Sequence, residues 1–169
     1  MKIGLLSDSH DRVPAVRALV ERMIAEGVAV IIHAGDYCSP FTLRALADLQ
    51  VPLLGVFGRN DGDHEGLIGA AQASIGAELY ESPHSFSLGG QQILVVHDIN
   101  DVHERSLGQH RVVVHGFTHI AELKTRGETL IVNPGESCGW VYGEPSGAIL
   151  DLSTNAVEFI KLTGPEWKH

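Results

Sequence analysis

Along the first third of the chain, short unbroken apolar runs alternate with stretches whose apolar residues recur every three or four positions. Residues 2–7 form a first apolar run. Val13, Val16, Val20, Met23 and Ile24 then recur at helical spacing, and Gly27 closes that segment. Ala29–His33 reads as the next strand, Leu43, Leu46 and Leu49 mark a short helix after Pro40, and Leu53–Phe57 is a third strand. Strands that are apolar throughout and separated by helices imply a parallel sheet covered on both faces. The second half changes character. Ser85–Leu88 and Gln91–Val96 flank Gly89-Gly90 as a hairpin, and residues 111–115, 121–125 and 129–132 are short strands. Gly147–Leu152 and Ala156–Leu162 flank Ser153-Thr154-Asn155 as a last hairpin, and Thr163–His169 is expected to fray. The pattern predicts an α/β chain, residues 1–169 as one domain, with two packed mixed β-sheets flanked by helices.

Composition narrows the class of function. Hydrophobic residues make up 44% and charged residues 20% of 169 positions, which is ordinary for a globular protein. No apolar run approaches the ~20 residues that cross a bilayer, so no membrane association is expected. Cys38 and Cys138 are the only cysteines, too few for a disulfide framework, and a cytoplasmic location follows as the expectation. The net charge of −9 argues against a nucleic-acid surface but not against a small phosphoester, because a metal can supply local positive charge. A homodimer is the common assembly for so small a chain.

The candidate chemistry lies where strands end. The first strand runs into Asp8-Ser9-His10, the second into Gly35-Asp36, and the third into Gly58-Arg59-Asn60-Asp61-Gly62-Asp63. Later strands end in His97-Asp98 and in Gly116-Phe117-Thr118-His119. Ligands bind at the carboxyl ends of strands in open α/β sheets, so these ends can converge. In an extended Asp8-x-His10, both side chains point to one face. Mixed carboxylate and imidazole ligands suit Mn, Fe, Zn or Ni. Each signal alone has a plain structural reading. An Asp-x-His pair is often a helix cap, Gly-Asp is often a turn, and a lone His97 is most often a hydrogen-bonded core histidine. His33 reads as packed in its strand and His115 as pointing away. His64, His103, His110 and His169 lie in polar context as surface residues. Arg12 fits a phosphate or solvent equally well.

Taken in order, Asp8-Ser9-His10, Gly35-Asp36, Gly58-Arg59-Asn60-Asp61-Gly62, His97, Gly116-Phe117-Thr118-His119 and Asn133-Pro134-Gly135 resemble the motifs of the calcineurin-like metallophosphoesterases. The resemblance covers essentially the whole chain and is strongest to small single-domain phosphodiesterases. It implies an α/β/β/α sandwich, a small phosphoester substrate and a divalent transition metal, with Mn first and Fe, Ni or Zn next, as one or two ions. Asp8, His10, Asp36 and His119 match the first-metal ligands. Asp36 and His97 match part of the second set, with Asp36 bridging.

The chain departs from the family in that second set. Phe117 stands where the first His of Gly-His-x-His is expected, Arg59 where an Asn is expected, and His97-Asp98-Ile99 replaces His-Gly-His. Asn60 is one residue out of register, and a one-residue slip at a strand end reverses the side chain, which favours Arg59 as the occupant. Arg59 would then return one positive charge beside Asp36 and hold the phosphoryl group, with Asp36 and Arg59 as catalytic residues and Arg59 and Asn60 as substrate contacts. Phe117 would fill the vacated volume. Three functions fit: a hydrolase with a degenerate second metal site, a catalytically inactive binding scaffold of the same fold, or a two-metal enzyme completed by Asp98, Asp61 or Asp63.

Overall fold

The computed structural model describes residues 1–74, 76–165 and 167, so His169 lies outside the described residues. Strands β1 (Lys2–Leu6), β2 (Val28–His33), β3 (Leu53–Val56) and β4 (Glu78–Tyr80) run parallel, joined by helices α1 (Val13–Ala25), α2 (Phe41–Ala45) and α3 (His64–Ser74). The antiparallel strands β10 (Ser146–Asp151) and β11 (Ala156–Lys161) complete a six-stranded sheet of order β11-β10-β1-β2-β3-β4. The second sheet, of five strands, has the order β5-β6-β7-β9-β8, from β5 (His84–Leu88), β6 (Gln91–Val95), β7 (Val112–Val114), β8 (Ala121–Arg126) and β9 (Thr129–Pro134). Its central strands β6, β7 and β9 are parallel, and α4 (Glu104–Leu107) precedes β7.

The apolar strands of the first sheet serve two cores because side chains alternate faces. Ile3, Leu5, Val30 and Ile32 point toward the second sheet and pack with Ile93, Val95, Val112, Val114 and Val132. Leu6, Ile31 and Leu53 point outward to Val16, Leu19, Val20 and Met23 of α1 and to Leu43 and Leu67 of the next two helices. Leu94, Val96, Val113 and Ile131, on the far face of the second sheet, pack against Leu107 of α4. The layers are therefore helix, sheet, sheet, helix. Gly4 lets α1 lie close to β1, because a Cβ there would run into Ile31 and Met23.

Four parts of the chain differ from the sequence reading. Helices α3 and α4 and strand β4 were not foreseen. Leu67, Ala70 and Ala71 carry the helical spacing and are buried, but alanines give a weak apolar signal. Within Thr163–His169, Trp167 packs into the outer core, and the Arg12 guanidinium lies 4.6 Å from its ring. No described helix is long and apolar enough to cross a membrane.

Both sheets turn the carboxyl ends of their parallel strands toward one place. The Ser137 and Cys138 amides, after β9, donate to the Ser7 and Asp8 carbonyls, after β1 (2.9 and 3.1 Å). His97, after β6, reaches the Ala34 carbonyl beside β2 (2.8 Å).

Candidate metal centre

The backbone at these strand ends is unusual. Nine non-glycine residues have positive φ among the described residues, and seven of them (Asp8, His10, Asp11, Asp36, Cys38, Phe117 and His119) lie on the converging loops. Left-handed conformations are costly for such residues and persist where surrounding contacts enforce them. Here the Asp8, His10 and Asp11 amides donate to the Gly35, Asp36 and Tyr37 carbonyls (3.0, 3.0 and 3.2 Å), locking the two loops side by side. This corrects the expectation of an extended Asp8-x-His10. The strand ends at Leu6, and Asp8 and His10 converge through two left-handed residues rather than through the pleat.

The structure brings Asp8, His10, Asp36, His97 and His119 together. His119 Nε2 lies 3.5 Å from Asp8 Oδ1, His10 Nε2 lies 3.6 Å from Asp36 Oδ2, and His97 Nε2 lies 3.3 Å from Asp36 Oδ1. Ligand atoms of Asp8, His10 and His119 all lie within 4.8 Å of one another, as do those of Asp8, Asp36 and His97. Each histidine is held from outside by Nδ1 and turns Nε2 inward. Nδ1 of His10 contacts Cys38 Sγ at 3.2 Å, that of His97 the Ala34 carbonyl at 2.8 Å, and that of His119 the Glu136 carboxylate at 3.0 Å. Both Asp8 oxygens and the Nε2 atoms of His10 and His97 are buried without an aligned hydrogen bond. Buried polar atoms are almost always paired, and an outer partner on each imidazole is the usual support of a metal-ligating histidine. The donor set fits a divalent cation.

Electrostatics agree with that fit. Burial pushes the Asp8 carboxyl up, only partly offset by Ser7 and His119. Burial also works against the Asp36 carboxylate, but His97 and the Asn60 N–H groups outweigh it and hold its pKa well below the carboxylate range. For His97, burial opposes protonation, and the Asp36 carboxylate overcomes it, so the imidazole is shifted up.

The residues at the departures from the family motifs touch one another, in a different arrangement from the one expected. Arg59 does not face Asp36. Its guanidinium pairs with Asp98 (2.7 Å) and Asp101 (3.5 Å) and stacks on Phe117, 4.4 Å from the ring centroid. Asn60 takes the place beside Asp36, donating its amide to Oδ1 (2.9 Å) and its side-chain NH2 to Oδ2 (2.7 Å). The strand period does not reach these residues, because β3 ends at Val56 and Arg59 and Asn60 lie on a turn. Phe117 is 40% exposed, so it caps the place beside His97 without filling a buried void. Asp98, Asp61 and Asp63 are each committed elsewhere: Asp98 to Arg59 and Asn100, Asp61 to backbone amides, and Asp63 to the Gly66 amide.

Asp61, expected as a candidate second-metal ligand, and Glu136, on the loop after β9, instead support the site. Asp61 accepts from the Asp36, Cys38 and Gly58 amides (3.0, 2.8 and 2.7 Å), fastening the Asp36 loop to the end of β3. Glu136 accepts from His119 and from the Val141 and Tyr142 amides. His119, Glu136 and Cys138 also lie within ligand distance of one another. However, burial pushes the Cys138 thiol up to about 12, and the Glu136 oxygens are occupied, so this trio reads as a hydrogen-bonded support. His33 is core, bonded to Ser9 Oγ (3.0 Å), with burial lowering its pKa to about 3. His115 is buried and turned to the Gly116 carbonyl and Asn133, away from the site. Arg12 is half-buried: it bonds the Cys138 carbonyl and lies over Trp140.

Gly58 offers a sharp test of how tightly the Asp36 loop is built. A Cβ there would run into Asp36 Oδ1 and the Asp36 nitrogen. Gly58→Ala is expected to displace the carboxylate, weakening Mn affinity roughly 10–100-fold, as loss of a supporting contact does. Titration of chelator-treated protein with Mn measures this.

Comparison with known proteins agrees with the geometry. The model of the calcineurin-like phosphoesterase superfamily domain matches residues 1–155. A phosphodiesterase of Methanocaldococcus jannaschii is 30% identical over 154 residues, covering 89% of this chain and 93% of the relative. The solved structure of an archaeal phosphodiesterase superposes with a TM-score of 0.89 at 29% identity, covering 96% of this chain and all (100%) of the other. Yfce, a phosphoesterase from E. coli, reaches a TM-score of 0.70 at 18% identity over 95% of this chain and 98% of its own. A single mutant of Vps29 from Entamoeba histolytica reaches 0.67 at 18% over 96% and 100%. The last two show the shared fold alone. Such a family implies a divalent metal, and the clustered carboxylates and imidazoles at the strand ends are where this chain would take one. With the family model spanning most of its length, the chain belongs to the calcineurin-like phosphoesterase superfamily.

Proposed function

We propose that the chain is a metal-dependent phosphodiesterase with one tightly held divalent ion, Mn in the first instance, at Asp8, His10, Asp36 and His119. The observation that carries this reading is the set of inward Nε2 atoms facing carboxylates, with both Asp8 oxygens and the Nε2 atoms of His10 and His97 lacking an aligned hydrogen bond. A bound divalent ion supplies Lewis acidity and makes water nucleophilic near neutral pH. The chain's own residues do the rest. Asn60 fixes the Asp36 carboxylate through two hydrogen bonds. Glu136 and Ala34 hold the His119 and His97 rings in orientation. Arg59, anchored by Asp98 and Phe117 yet half-exposed, presents its remaining N–H groups to the phosphoryl oxygens as charge develops there.

The commitments of Asp98, Asp61 and Asp63 speak against a second ion completed by those acids. Metal analysis of Mn-loaded protein, run with hydrolysis of bis(p-nitrophenyl) phosphate, tests the reading. About one ion per chain with turnover is expected. Two ions in the wild type would end the one-metal reading, and metal uptake without turnover would leave the scaffold. Phe117→His removes the platform under Arg59 and places an imidazole beside His97 and the Asn60–Asp36 pair. That variant is expected to take up a second Mn, because it adds a nitrogen donor next to the two already there.

A further inference from the structure

Beside His119 the surface opens into a cleft of about 280 Å³ that shares His119 and Glu136 with the metal centre and continues past Ile120, Ala121 and Tyr142 to Lys161. Its apolar walls are exposed: Ile120 is 51% and Tyr142 59% accessible, and Trp140 and Val141 stand next to Tyr142. Exposed apolar residues contiguous in this way, beside a reactive centre, mark a surface meant to be covered. The wall is also fixed in place. The Val141 and Tyr142 amides donate to the buried Glu136 carboxylate, the same group that holds His119. Arg12, bonded to the Cys138 carbonyl, braces Trp140 from below. At the far end Lys161 pairs with Glu144 at 3.0 Å, giving the cleft one polar edge.

We infer that this cleft is the subsite for one ester group of the substrate, and that it selects a planar, ring-bearing group over a short alkyl one. The inference rests on the phosphodiesterase reading and names the substrate class for the same site. His119 belongs both to the set that would hold the ion and to the wall of the cleft, so a substituent of a phosphoryl group bound at that ion and directed to this side enters the cleft. Its volume lies at the lower edge of small-ligand pockets, ~300 Å³, which suits a ring or a nucleoside-sized group and excludes a folded polymer. Ile120 and Tyr142 supply apolar faces for the ring, and Tyr142 an aromatic one for stacking.

The test compares phenylphosphonate with methylphosphonate as ligands of the Mn-loaded protein by calorimetry, in the wild type and in Ile120→Ala and Tyr142→Ala. Both side chains are exposed, so neither change threatens folding. Phenylphosphonate is expected to bind at least about tenfold tighter in the wild type, as burial of one ring requires. That ratio should fall several-fold in each variant while methylphosphonate affinity is unchanged. Equal wild-type affinities for the two ligands would overturn the subsite and leave the phosphodiesterase reading standing. A tenfold preference that survives both substitutions would place the ring elsewhere and also overturn it. Failure of both phosphonates to bind would remove the phosphodiesterase reading, and the subsite with it.

Discussion

Asp8→Asn is expected to lower phosphodiester hydrolysis about a thousandfold while making the metal-free protein more stable. The loss follows from removing a negatively charged ligand. The Lewis acidity of a bound ion contributes several kcal/mol to the transition state, and each 1.36 kcal/mol is a factor of ten. The gain has the opposite origin. Asp8 is buried, its two oxygens have no hydrogen-bond partner, and burial raises its pKa. A carboxyl whose folded-state pKa lies above its unfolded value favours folding when protonated. Its contribution is complete below the unfolded-state pKa of ~3.9 and is lost as pH rises through the raised folded-state value. At neutral pH the metal-free wild type therefore carries a buried charge that Ser7 and His119 only partly compensate, and asparagine removes it, a gain of about 1–3 kcal/mol. Asp36 has the opposite sign: its depressed pKa stabilises the fold above the unfolded value and ceases to do so as pH falls through the folded one. Urea unfolding of chelator-treated wild type and variant from about pH 4 to about pH 8 isolates the Asp8 part. With saturating Mn the order should reverse, because ligand binding stabilises only the protein that holds the ion. A variant less stable than wild type without metal would show that Asp8 is a structural residue.

Asp61→Ala should cost about 3–5 kcal/mol of folding stability, the largest loss expected from any single change at the site. Three backbone amides, of Asp36, Cys38 and Gly58, donate to this one carboxylate, itself buried. Alanine would leave them without an acceptor, at ~1–3 kcal/mol for each buried group and less than additively together. Asp61→Asn keeps one acceptor oxygen and should fall between. Because those amides shape the Asp36 loop, metal affinity should fall with stability, in contrast to Asp8→Asn. Denaturant midpoints read beside Mn titrations check the pairing. Asp61→Ala within ~0.5 kcal/mol of wild type would mean that water replaces the carboxylate.

The contrast between Arg59 and Asn60 shows where reading along the chain stops. Both follow Gly58, and both carry polar side chains that can meet a carboxylate. Strand periodicity cannot separate them, because β3 has ended and the turn sets each side chain by its own dihedral angles. The choice is made by partners distant in sequence: Asp98, 39 positions away, takes the arginine, and Asp36, 24 positions away, takes the asparagine. The hold of Glu136 on His119 is out of reach of the sequence for the same reason. Glu136 lies in a turn after β9, and its partner His119 stands 17 residues earlier on a different loop.

The sequence by itself determined the layered α/β architecture, because apolar runs and spacing report burial locally, strand by strand. It also determined which residue types stand at the strand ends, and through their order the family. Helix α3 fell below that threshold, its buried face being partly alanine. The tertiary structure alone decided the convergence of Asp8, His10, Asp36, His97 and His119 through left-handed turns, the pairing of Arg59 with Asp98 over Phe117, and the bracing by Asp61 and Glu136. Those are contacts between loops from two sheets. They depend on how the sheets pack and on dihedral angles that no periodic pattern encodes.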